Sequence, residues 1–282
     1  MSEMDSEFEK YPPYCVLMSV YYKEKPEFLR ESIESMLNQT VPLEQFVLVC
    51  DGPLTNGLDA VVLEYEQTQS QLFTIVRLEE NLGIGGAAQA GFVKCRNELI
   101  AKMDSDDIAR PYRCQTQLCH IMQNPELSIL GGCLSEFIDN QDNPAAIRRV
   151  PKTHSEIIGF SRKRNPFNNQ TVIFRKSAVE AVGGYSPLKR VEDYDLYMRM
   201  LHNGAMAENL EDILVDYRLD ENAYRRRGNW LNVSSVNKII WGFYRAGYIS
   251  FIDFTLTFFG HLFLWICPNI LLDFIYKRLL RR

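Results

Sequence analysis

The stretch LIAKMDSDD, residues 99–107, places three carboxylates directly after a short apolar run. Leu99–Met103 predicts a buried strand, and Arg110–Pro111 marks the turn that closes the acidic segment. Three carboxylates so close together repel one another unless a cation neutralises their charge or hydrogen-bond donors stabilise it. Oxygen ligands at the end of a buried strand suit Mg²⁺ or Mn²⁺, and these ions in turn suit a substrate diphosphate. The alternative is a solvated acidic turn, and this stretch alone leaves both open.

Apolar segments alternate with helical patterns around this stretch. Tyr14–Tyr22, Phe46–Cys50 and Phe73–Leu78 predict strands whose apolar residues do not alternate with polar ones. A helix is predicted from Pro26, because proline loses little in a first helical turn, and another over Leu58–Gln67. Strands that are apolar on both faces and separated by helices are typical of an α/β fold with a mainly parallel sheet covered on both sides.

Two aspartates follow predicted strands of this sheet. Asp51 follows Phe46–Cys50, and Asp104 follows Leu99–Met103. Because ligands of parallel α/β sheets bind beyond the carboxyl ends of the strands, we expect Asp51 and Asp104 to share one crevice. The sequence predicts further elements after the acidic stretch, a helix and two strands, at Tyr112–Met122, Ser128–Cys133 and Thr171–Phe174.

A glycine-rich segment, NLGIGGAA at residues 81–88, opens the helix that precedes the acidic stretch. Small residues let a backbone approach a ligand or a neighbouring element closely. The segment lacks both the GxGxxG spacing of a dinucleotide site and the Lys-Ser/Thr of a P-loop. Tight helix–strand packing and contact between Gly83 and a nucleotide are both open from the sequence alone.

A second acidic cluster, Glu192, Asp193 and Asp195, opens a helix with apolar residues at core spacing. Carboxylates in a first helical turn are favoured by the helix dipole, so a capping role explains at least one of them. A catalytic role requires that one of these carboxylates faces the crevice that holds Asp104.

The charge of the chain is unevenly distributed. Its 282 residues suffice for one large domain, alone or with an appendage. The net charge is −5, but ten Lys or Arg oppose four Asp or Glu from Arg218 onward, which leaves −11 for the first 217 residues. An acidic body argues against nucleic acid as a partner. The seven cysteines form no CxxC pair, so they indicate neither a zinc knuckle nor a disulfide framework and fit a reducing cytoplasm.

The two ends of the chain differ from this body. Residues 1–13 predict a flexible arm, because the first ten are acidic and polar and lack the pattern of a signal peptide. In the cluster Arg225–Arg227, Arg226 is our candidate for binding phosphate oxygens, with a solvated basic run as the alternative. Residues 254–272 are nearly all apolar and precede a basic terminus, which predicts helices lying on an anionic membrane surface. Two alternatives are a membrane span, which this length approaches although His261 and Pro268-Asn269 interrupt it, and a helical appendage without membrane contact.

Five motifs occur in the order that resembles family 2 glycosyltransferases with the GT-A fold, of the bacterial O-antigen, capsule or exopolysaccharide repeat-unit type. They are VLMSVYYKE (16–24), VLVCDGP (47–53), ENLGIGGAAQAGF (80–92), AKMDSDD (101–107) and VEDYDLYMRM (191–200). The resemblance covers about residues 14–220. It implies a nucleotide-sugar-binding and catalytic GT-A domain over residues 14–217. It also implies a basic and apolar helical tail over residues 218–282, similar to that of membrane-associated members.

The resemblance implies a binding site for a UDP-sugar donor. Asp51 corresponds to the acidic residue that recognises the nucleoside, usually uridine. Ser19, Tyr21 and Glu24 correspond to positions that line the nucleotide pocket. Asp104 is also expected to contact the donor.

The resemblance further implies metal-dependent, inverting transfer. Asp104 and Asp106 match the DxD motif, which holds Mn²⁺ or Mg²⁺ on the sugar diphosphate, with Asp106 as the more direct ligand. Asp193 matches the catalytic base that accepts the proton of the acceptor hydroxyl, and Glu192 supports it or contacts the acceptor. A single displacement inverts the anomeric carbon and requires no covalent nucleophile.

The implied reaction transfers a hexose, with galactose or glucose favoured, to a lipid-diphosphate-linked saccharide of the undecaprenyl type. Such an acceptor lies at the cytoplasmic face of the bacterial inner membrane, where the tail would hold the enzyme as a peripheral protein. The sequence departs from the Gln/Arg-x-x-Arg-Trp motif of processive synthases, because Asn229 precedes Trp230. We therefore expect one sugar to be added per encounter.

Two other functions remain open from the sequence. One is a catalytically silent nucleotide-sugar-binding scaffold subunit, although the complete acidic motifs argue against it. The other is a sugar nucleotidyltransferase, which usually has a glycine-rich loop near the first strand, whereas Lys23 and Lys25 here have no glycines beside them. His154 and His202 are expected to be structural rather than ligands of a metal or phosphate.

Overall fold

The computed structural model describes residues 11–138, 141–219 and 230–266. The strands of this part of the chain are β1 Tyr14–Val20, β2 Gln45–Cys50, β3 Phe73–Arg77, β4 Leu99–Asp104, β5 Ile108–Ala109, β6 Leu127–Phe137, β7 Ala146–Arg148, β8 Ile173–Arg175 and β9 Met206–Arg218. The helices are α1 Pro26–Leu37, α2 Asn56–Thr68, α3 Gly83–Phe92, α4 Arg113–Gln123, α5 His154–Ser161, α6 Lys176–Glu180, α7 Glu192–His202, α8 Trp230–Arg245 and α9 Phe251–Ile266. The first ten residues, residues 220–229, which include Arg226, and residues 267–282 lie outside the described residues.

One mixed sheet joins these strands in the order β3-β2-β1-β4-β8-β6-β9-β5, with β7 paired to β6. The half that begins the chain is parallel, as predicted, because β1 pairs in parallel with both β2 and β4 and β2 does so with β3. Strand β8 is antiparallel to both β4 and β6, and it therefore joins this half to the rest of the sheet. The register sets Ser19 opposite Asp104, which aligns the ends of β1 and β4.

Both faces of the parallel half are buried. Val16 and Met18 of β1 pack with α1, α2 and α4, whereas Cys15 and Leu17 pack with α3 and α7 on the other face. Successive residues of a strand point to opposite faces, so an unbroken apolar run is what a sheet covered on both sides requires. The prediction of a sheet with helices on both faces is confirmed.

Helices α8 and α9 attach to this body through a third apolar cluster. Val236, Ile240 and Phe243 of α8 pack against Tyr194 and Met198 of α7. The ring of Tyr194 meets that of Phe243 edge to face, with 5.3 Å between centroids. The described part of the tail is thus helical and packed against the helix that carries the predicted base. No helix within the described ranges has the length and apolar character needed to cross a membrane.

Candidate active site

A cleft of about 1420 Å³ opens beyond the carboxyl ends of β1, β2 and β4. Every predicted site residue that the structure describes lines this cleft: Ser19, Tyr21, Glu24, Asp51, Gly83, Asp104, Asp106, Glu192 and Asp193. The two acidic clusters, about ninety residues apart in the chain, therefore face one space. The roles assigned to the individual residues remain predictions.

Ser19 of β1 and Glu24 in the turn after it have bonding that bears on the donor pocket. The hydroxyl of Ser19 is buried and has no hydrogen-bond partner among the described residues. An unpaired buried hydroxyl at a cleft is a position where a ligand gains a hydrogen bond. Glu24 accepts a hydrogen bond from the Ser105 hydroxyl at 3.3 Å, which links it to the acidic turn.

Asp51 holds the loop that precedes α3. Its carboxylate Oδ1 accepts a hydrogen bond from the Leu82 N–H at 2.7 Å, and its carbonyl accepts one from Asn81 Nδ2 at 3.1 Å. Burial raises the pKa of Asp51, and the backbone N–H groups of Leu82 and Gly83 oppose that shift. The adjoining Gly52 has φ +82°, and a Cβ there would lie 2.8 Å from the Asn81 nitrogen. Asp51 therefore shapes this side of the cleft as well as facing it.

The sequence left two roles open for the glycines of α3: close packing and contact with a nucleotide. Gly85 and Gly91 serve packing, whereas Gly83 lines the cleft. A Cβ on Gly91 would lie 2.5 Å from side-chain atoms of Leu17 and Val49, so this glycine serves helix–sheet packing. Gly85 donates its N–H to the Leu188 carbonyl, and a Cβ there would clash with that oxygen. Gly83, with φ +77°, lines the cleft, and its contact with a nucleotide remains a prediction.

The acidic turn is built around Arg218 at the end of β9. The Arg218 N–H donates to Asp107 Oδ1 at 2.9 Å, and the Arg218 Nε donates to the Asp106 carbonyl at 3.1 Å. The guanidinium lies 4.0 Å from the ring centroid of Phe28. Asp107 is fully buried, and burial, followed by the charges of Asp106 and Asp104, raises its pKa well above the usual range. Asp107 thus holds the turn to β9 instead of facing the cleft.

The donor set of the turn fits a divalent ion that arrives with its substrate. No group of three His, Cys, Asp or Glu in the described part of the chain could hold a metal by itself. Mg²⁺ is usually held by one or two carboxylates together with substrate phosphates, and Asp104 and Asp106 supply two carboxylates at the cleft. Burial raises the pKa of Asp104, and the charges of Lys102 and Arg113 oppose that shift. A cation on this carboxylate would relieve the cost of burying it.

Two hydrogen bonds orient Asp193 in the first turn of α7. Its Oδ2 accepts from Asn165 Nδ2 at 2.7 Å, and its Oδ1 accepts from the Tyr194 N–H at 2.7 Å. Burial raises the pKa of Asp193 to about 6; the Tyr194 N–H opposes this shift, and the charge of Asp104 adds to it. The helix begins after Val191, whose φ of 58° is unusual for a β-branched residue. A carboxylate fixed in this way, with a pKa near neutrality, is suited to accept a proton.

Glu192 is only 4% exposed. Burial, and then the charge of Asp193, raises the pKa of Glu192 well above its usual range. Both causes favour the protonated form of Glu192, because two adjacent buried carboxylates do not both ionise readily. Asp193 is the carboxylate that two hydrogen bonds orient, and it remains our candidate for the base.

Three residues that the sequence analysis did not select also shape the site. Lys102 is 5% exposed, lines the cleft, and places its Nζ 6.0 Å from the ring centroid of Tyr185. Lys102 and Asp104 are two positions apart on β4 and so share a face, which is a signal that the sequence did contain. Asn165 and Arg218 act through partners far along the chain, and nothing in their local sequence indicates those contacts.

The two histidines considered as ligands are engaged in the scaffold. His154 Nδ1 accepts a hydrogen bond from the Ala207 N–H at 3.3 Å. His202 stacks on Tyr248 with 4.0 Å between ring centroids and lies within hydrogen-bond distance of the Met198 and Tyr248 carbonyls. Neither lines the cleft, which agrees with the structural role expected for both.

A mixed α/β sheet with acidic clusters at one such cleft defines the GT-A class of glycosyltransferases. The chain belongs to glycosyl transferase family 2, whose sequence model matches residues 15–183. The predicted fold and glycosyltransferase activity are thereby confirmed. The same finding decides against the sugar nucleotidyltransferase.

Two curated relatives and one solved structure are similar to this chain. The UDP-Gal:alpha-D-GlcNAc-diphosphoundecaprenol beta-1,3-galactosyltransferase of Escherichia coli is 34% identical over 272 residues, 96% of this chain and 98% of that protein. The amylovoran biosynthesis glycosyltransferase of Erwinia amylovora is 36% identical over 222 residues, 79% of this chain and 82% of that protein. A mannosyltransferase from Pyrobaculum calidifontis, solved with GDP-Man and Mn²⁺, shares the fold with a TM-score of 0.63 at 16% identity, over 90% of this chain and 70% of that one.

Proposed function

We propose that this glycosyltransferase moves a hexose from a UDP-sugar to a saccharide linked through diphosphate to an undecaprenyl-type lipid, in the synthesis of a bacterial surface polysaccharide. The names of the Escherichia coli and Erwinia amylovora relatives support this acceptor class and this process. The Escherichia coli name also favours galactose over glucose as the transferred hexose.

The observation that carries the proposal is the shared cleft of Asp104, Asp106 and Asp193. A transferase of this kind must stabilise a leaving diphosphate and deprotonate an incoming hydroxyl in the same space. The two carboxylates of the turn suit the first task, and the oriented Asp193, with its pKa of about 6, suits the second. Ser19 near the end of β1 and Asp51 after β2 line the same cleft, and we propose that the nucleoside binds there.

In the proposed mechanism each residue acts on a defined part of the reactants. Asp51, Ser19 and Gly83 position the nucleoside diphosphate, and Asp104 and Asp106 would hold Mn²⁺ or Mg²⁺. When bound, the ion supplies positive charge that stabilises the departing diphosphate. Asp193 accepts the proton of the acceptor hydroxyl as its oxygen bonds to the anomeric carbon and the bond from that carbon to the diphosphate breaks. The attack comes from the side opposite the leaving group, so the configuration of the carbon is inverted.

The outward side of α9 supports association with a membrane surface. Ile252, Leu256, Phe259 and Phe263 are each between 57% and 70% exposed. Their spacing of three or four positions places them on one side of the helix. Such a stripe is typical of a helix that lies in the headgroup region of a bilayer, which for a lipid-linked acceptor is the cytoplasmic face of the inner membrane.

A donor screen tests the proposed reaction. Purified protein with Mn²⁺ is given a panel of UDP- and dTDP-sugars and a synthetic N-acetylglucosamine-diphosphate-lipid acceptor, and the products are analysed by NMR. We expect UDP-galactose or UDP-glucose to give one added residue with inverted anomeric configuration. A product with retained configuration would refute the single displacement, and transfer only from a dTDP-sugar would refute the donor assignment.

A further inference from the structure

A short basic segment, Arg162–Arg164, follows α5 and lies beside the catalytic carboxylates. Lys163 and Arg164 line the cleft, together with Phe160 of the preceding turn. The guanidinium of Arg164 lies 5.4 Å from the ring centroid of Phe160. Arg162 is equally exposed but is not among the residues that line the cleft. The function derived so far gives this segment no role.

The first turn of α7 holds both ends of this segment. Before the segment, the Tyr194 hydroxyl donates a hydrogen bond to the Ser161 carbonyl. After it, Asn165 Nδ2 donates to Asp193 Oδ2 at 2.7 Å. Tyr194 is buried, and its ring packs against α8. The backbone on both sides of Lys163 and Arg164 is therefore tied to the first turn of α7, which carries the proposed base.

A third polar group approaches from the tail. His261 of α9 also lines the cleft. Arg164 lines the same cleft, and burial, followed by the Arg164 charge, lowers the pKa of His261. His261 is nine positions from Ile252, about two and a half turns of helix, so it lies on the side of α9 opposite the apolar stripe. One helix thus separates a polar cleft from an exposed apolar surface.

We propose that Lys163, Arg164 and His261 form an acceptor subsite that binds the diphosphate of the lipid-linked acceptor. This inference rests on the proposed function and adds the residues that select the acceptor. The reacting hydroxyl must reach Asp193, so the acceptor sugar lies against that carboxylate. The diphosphate is attached on the far side of the same sugar ring. Lys163 and Arg164 line the same cleft as Asp193, and Arg and Lys are the common partners of phosphate oxygens.

Two other basic residues of the cleft have contacts that place them away from this subsite. Lys189 is adjacent to Gly83, because a Cβ on that glycine would lie 3.3 Å from the Lys189 Cα, and this places Lys189 on the donor side. Arg148 is paired with the buried Glu136 at 2.6 Å. In this proposal Lys189 belongs to the donor part of the cleft, and Lys163 and Arg164 belong to the acceptor part.

Removing the charges of the subsite tests the inference. The double variant Lys163→Gln/Arg164→Gln is compared with wild type on two acceptors, undecyl-diphosphate-N-acetylglucosamine and the phosphate-free undecyl N-acetylglucosaminide. We expect KM for the diphosphate acceptor to rise about tenfold to a hundredfold, because each lost charged hydrogen bond is worth roughly a factor of ten or more. KM for the phosphate-free acceptor and for the UDP-sugar should change less than about twofold. Arg162→Gln removes the same charge from the same segment outside the cleft and should match wild type.

A binding measurement keeps the inference testable even if no transfer is seen. Undecyl diphosphate is titrated calorimetrically into wild type and into the double variant, with excess UDP and Mn²⁺ occupying the donor site. The subsite is supported if undecyl diphosphate binds wild type and Arg162→Gln with similar affinity and binds the double variant more weakly. Equal binding to all three proteins, or an equal loss of activity on both acceptors, overturns it. If the enzyme transfers sugar equally well to both acceptors, the subsite is refuted while the proposed reaction stands.

Discussion

Asp193 shows how one side chain acquires a chemical property from its surroundings. An aspartate in water is ionised far below neutrality, but burial raises the pKa of this one to about 6. Asn165 and the Tyr194 N–H fix the direction of its two oxygens. The group therefore remains ionised near neutral pH while binding a proton more readily than an exposed carboxylate would.

The raised pKa of Asp193 predicts an acid limit to activity. Below about pH 6 the carboxylate is protonated and cannot accept the hydroxyl proton, so kcat/KM for the acceptor should fall about tenfold per pH unit. Above that value the carboxylate is ionised and kcat/KM should be level. Initial rates between pH 5 and 8 measure this profile. Constant kcat/KM down to pH 5 would contradict the assignment of Asp193 as the base.

Replacing the base should separate catalysis from donor binding. We expect Asp193→Asn to lower the transfer rate by about a hundredfold to ten-thousandfold, the usual contribution of a general base. UDP binding, measured by calorimetry, should remain because the proposed donor residues Ser19 and Asp51 lie in β1 and directly after β2, not in α7. Asp212→Asn makes the same change at an exposed position outside the cleft and serves as the control. Normal turnover by Asp193→Asn would show that another group accepts the proton.

The carboxylates of the acidic turn should respond differently to the same substitution. Asp104→Asn and Asp106→Asn should each lower kcat/KM by a hundredfold or more and weaken the dependence on Mn²⁺, because each removes a charged ligand. Asp107→Asn should keep the metal dependence and most of the activity, because Asp107 is bonded to Arg218 and its raised pKa already favours the neutral form. Rates across a Mn²⁺ titration, and after EDTA, measure this difference. Undiminished activity in excess EDTA would refute the metal site.

At the scale of elements, α3 shows how glycine controls the distance between a helix and the sheet. Gly91→Ala should lower the free energy of unfolding by about 1–3 kcal/mol, because its Cβ would lie 2.5 Å from Leu17 and Val49 side-chain atoms in a packed core. Gly159→Ala, within α5, meets no atom within 4 Å and should raise it by about 0.5–1 kcal/mol. Urea denaturation compares the two variants. If Gly91→Ala changed the free energy of unfolding in the same way as Gly159→Ala, α3 would be able to move away from the sheet at little cost.

Elements with a clear local pattern could be predicted, and those that depend on distant partners could not. The sequence predicts the strands that end at Cys50 and Asp104 to within one residue, because a strand buried on both faces is apolar throughout. Strand β9, Met206–Arg218, carries several charged residues, and its pairing with β6 is a tertiary property. Helix α5 was missed in a basic segment, although its Thr153–Glu156 capping box is visible in the sequence.

For the molecule as a whole, the sequence predicted that two acidic clusters would meet but not what holds them. The carboxyl ends of parallel strands indicate where Asp51 and Asp104 lie, and this is a property of the fold. The contacts of Arg218 with the acidic turn and of Asn165 with Asp193 join distant segments, and no local pattern encodes them. Likewise, the packing of α8 against α7 ties the tail to the catalytic helix.

Because α8 packs against α7, the membrane association that we propose would involve the whole enzyme. Helix α9 exposes its apolar stripe, whereas its His261 lines the cleft. Leu256→Gln/Phe259→Gln should reduce co-sedimentation with vesicles of mixed zwitterionic and anionic lipid by about tenfold or more, because burying each such side chain contributes roughly 1.5–3 kcal/mol. Activity on a water-soluble acceptor should be unchanged, because the stripe faces away from the cleft. Leu63→Gln/Val93→Gln makes the same kind of change at exposed apolar positions on the body and should bind vesicles like wild type. Equal loss in both double variants, or in neither, would refute α9 as the membrane-binding surface.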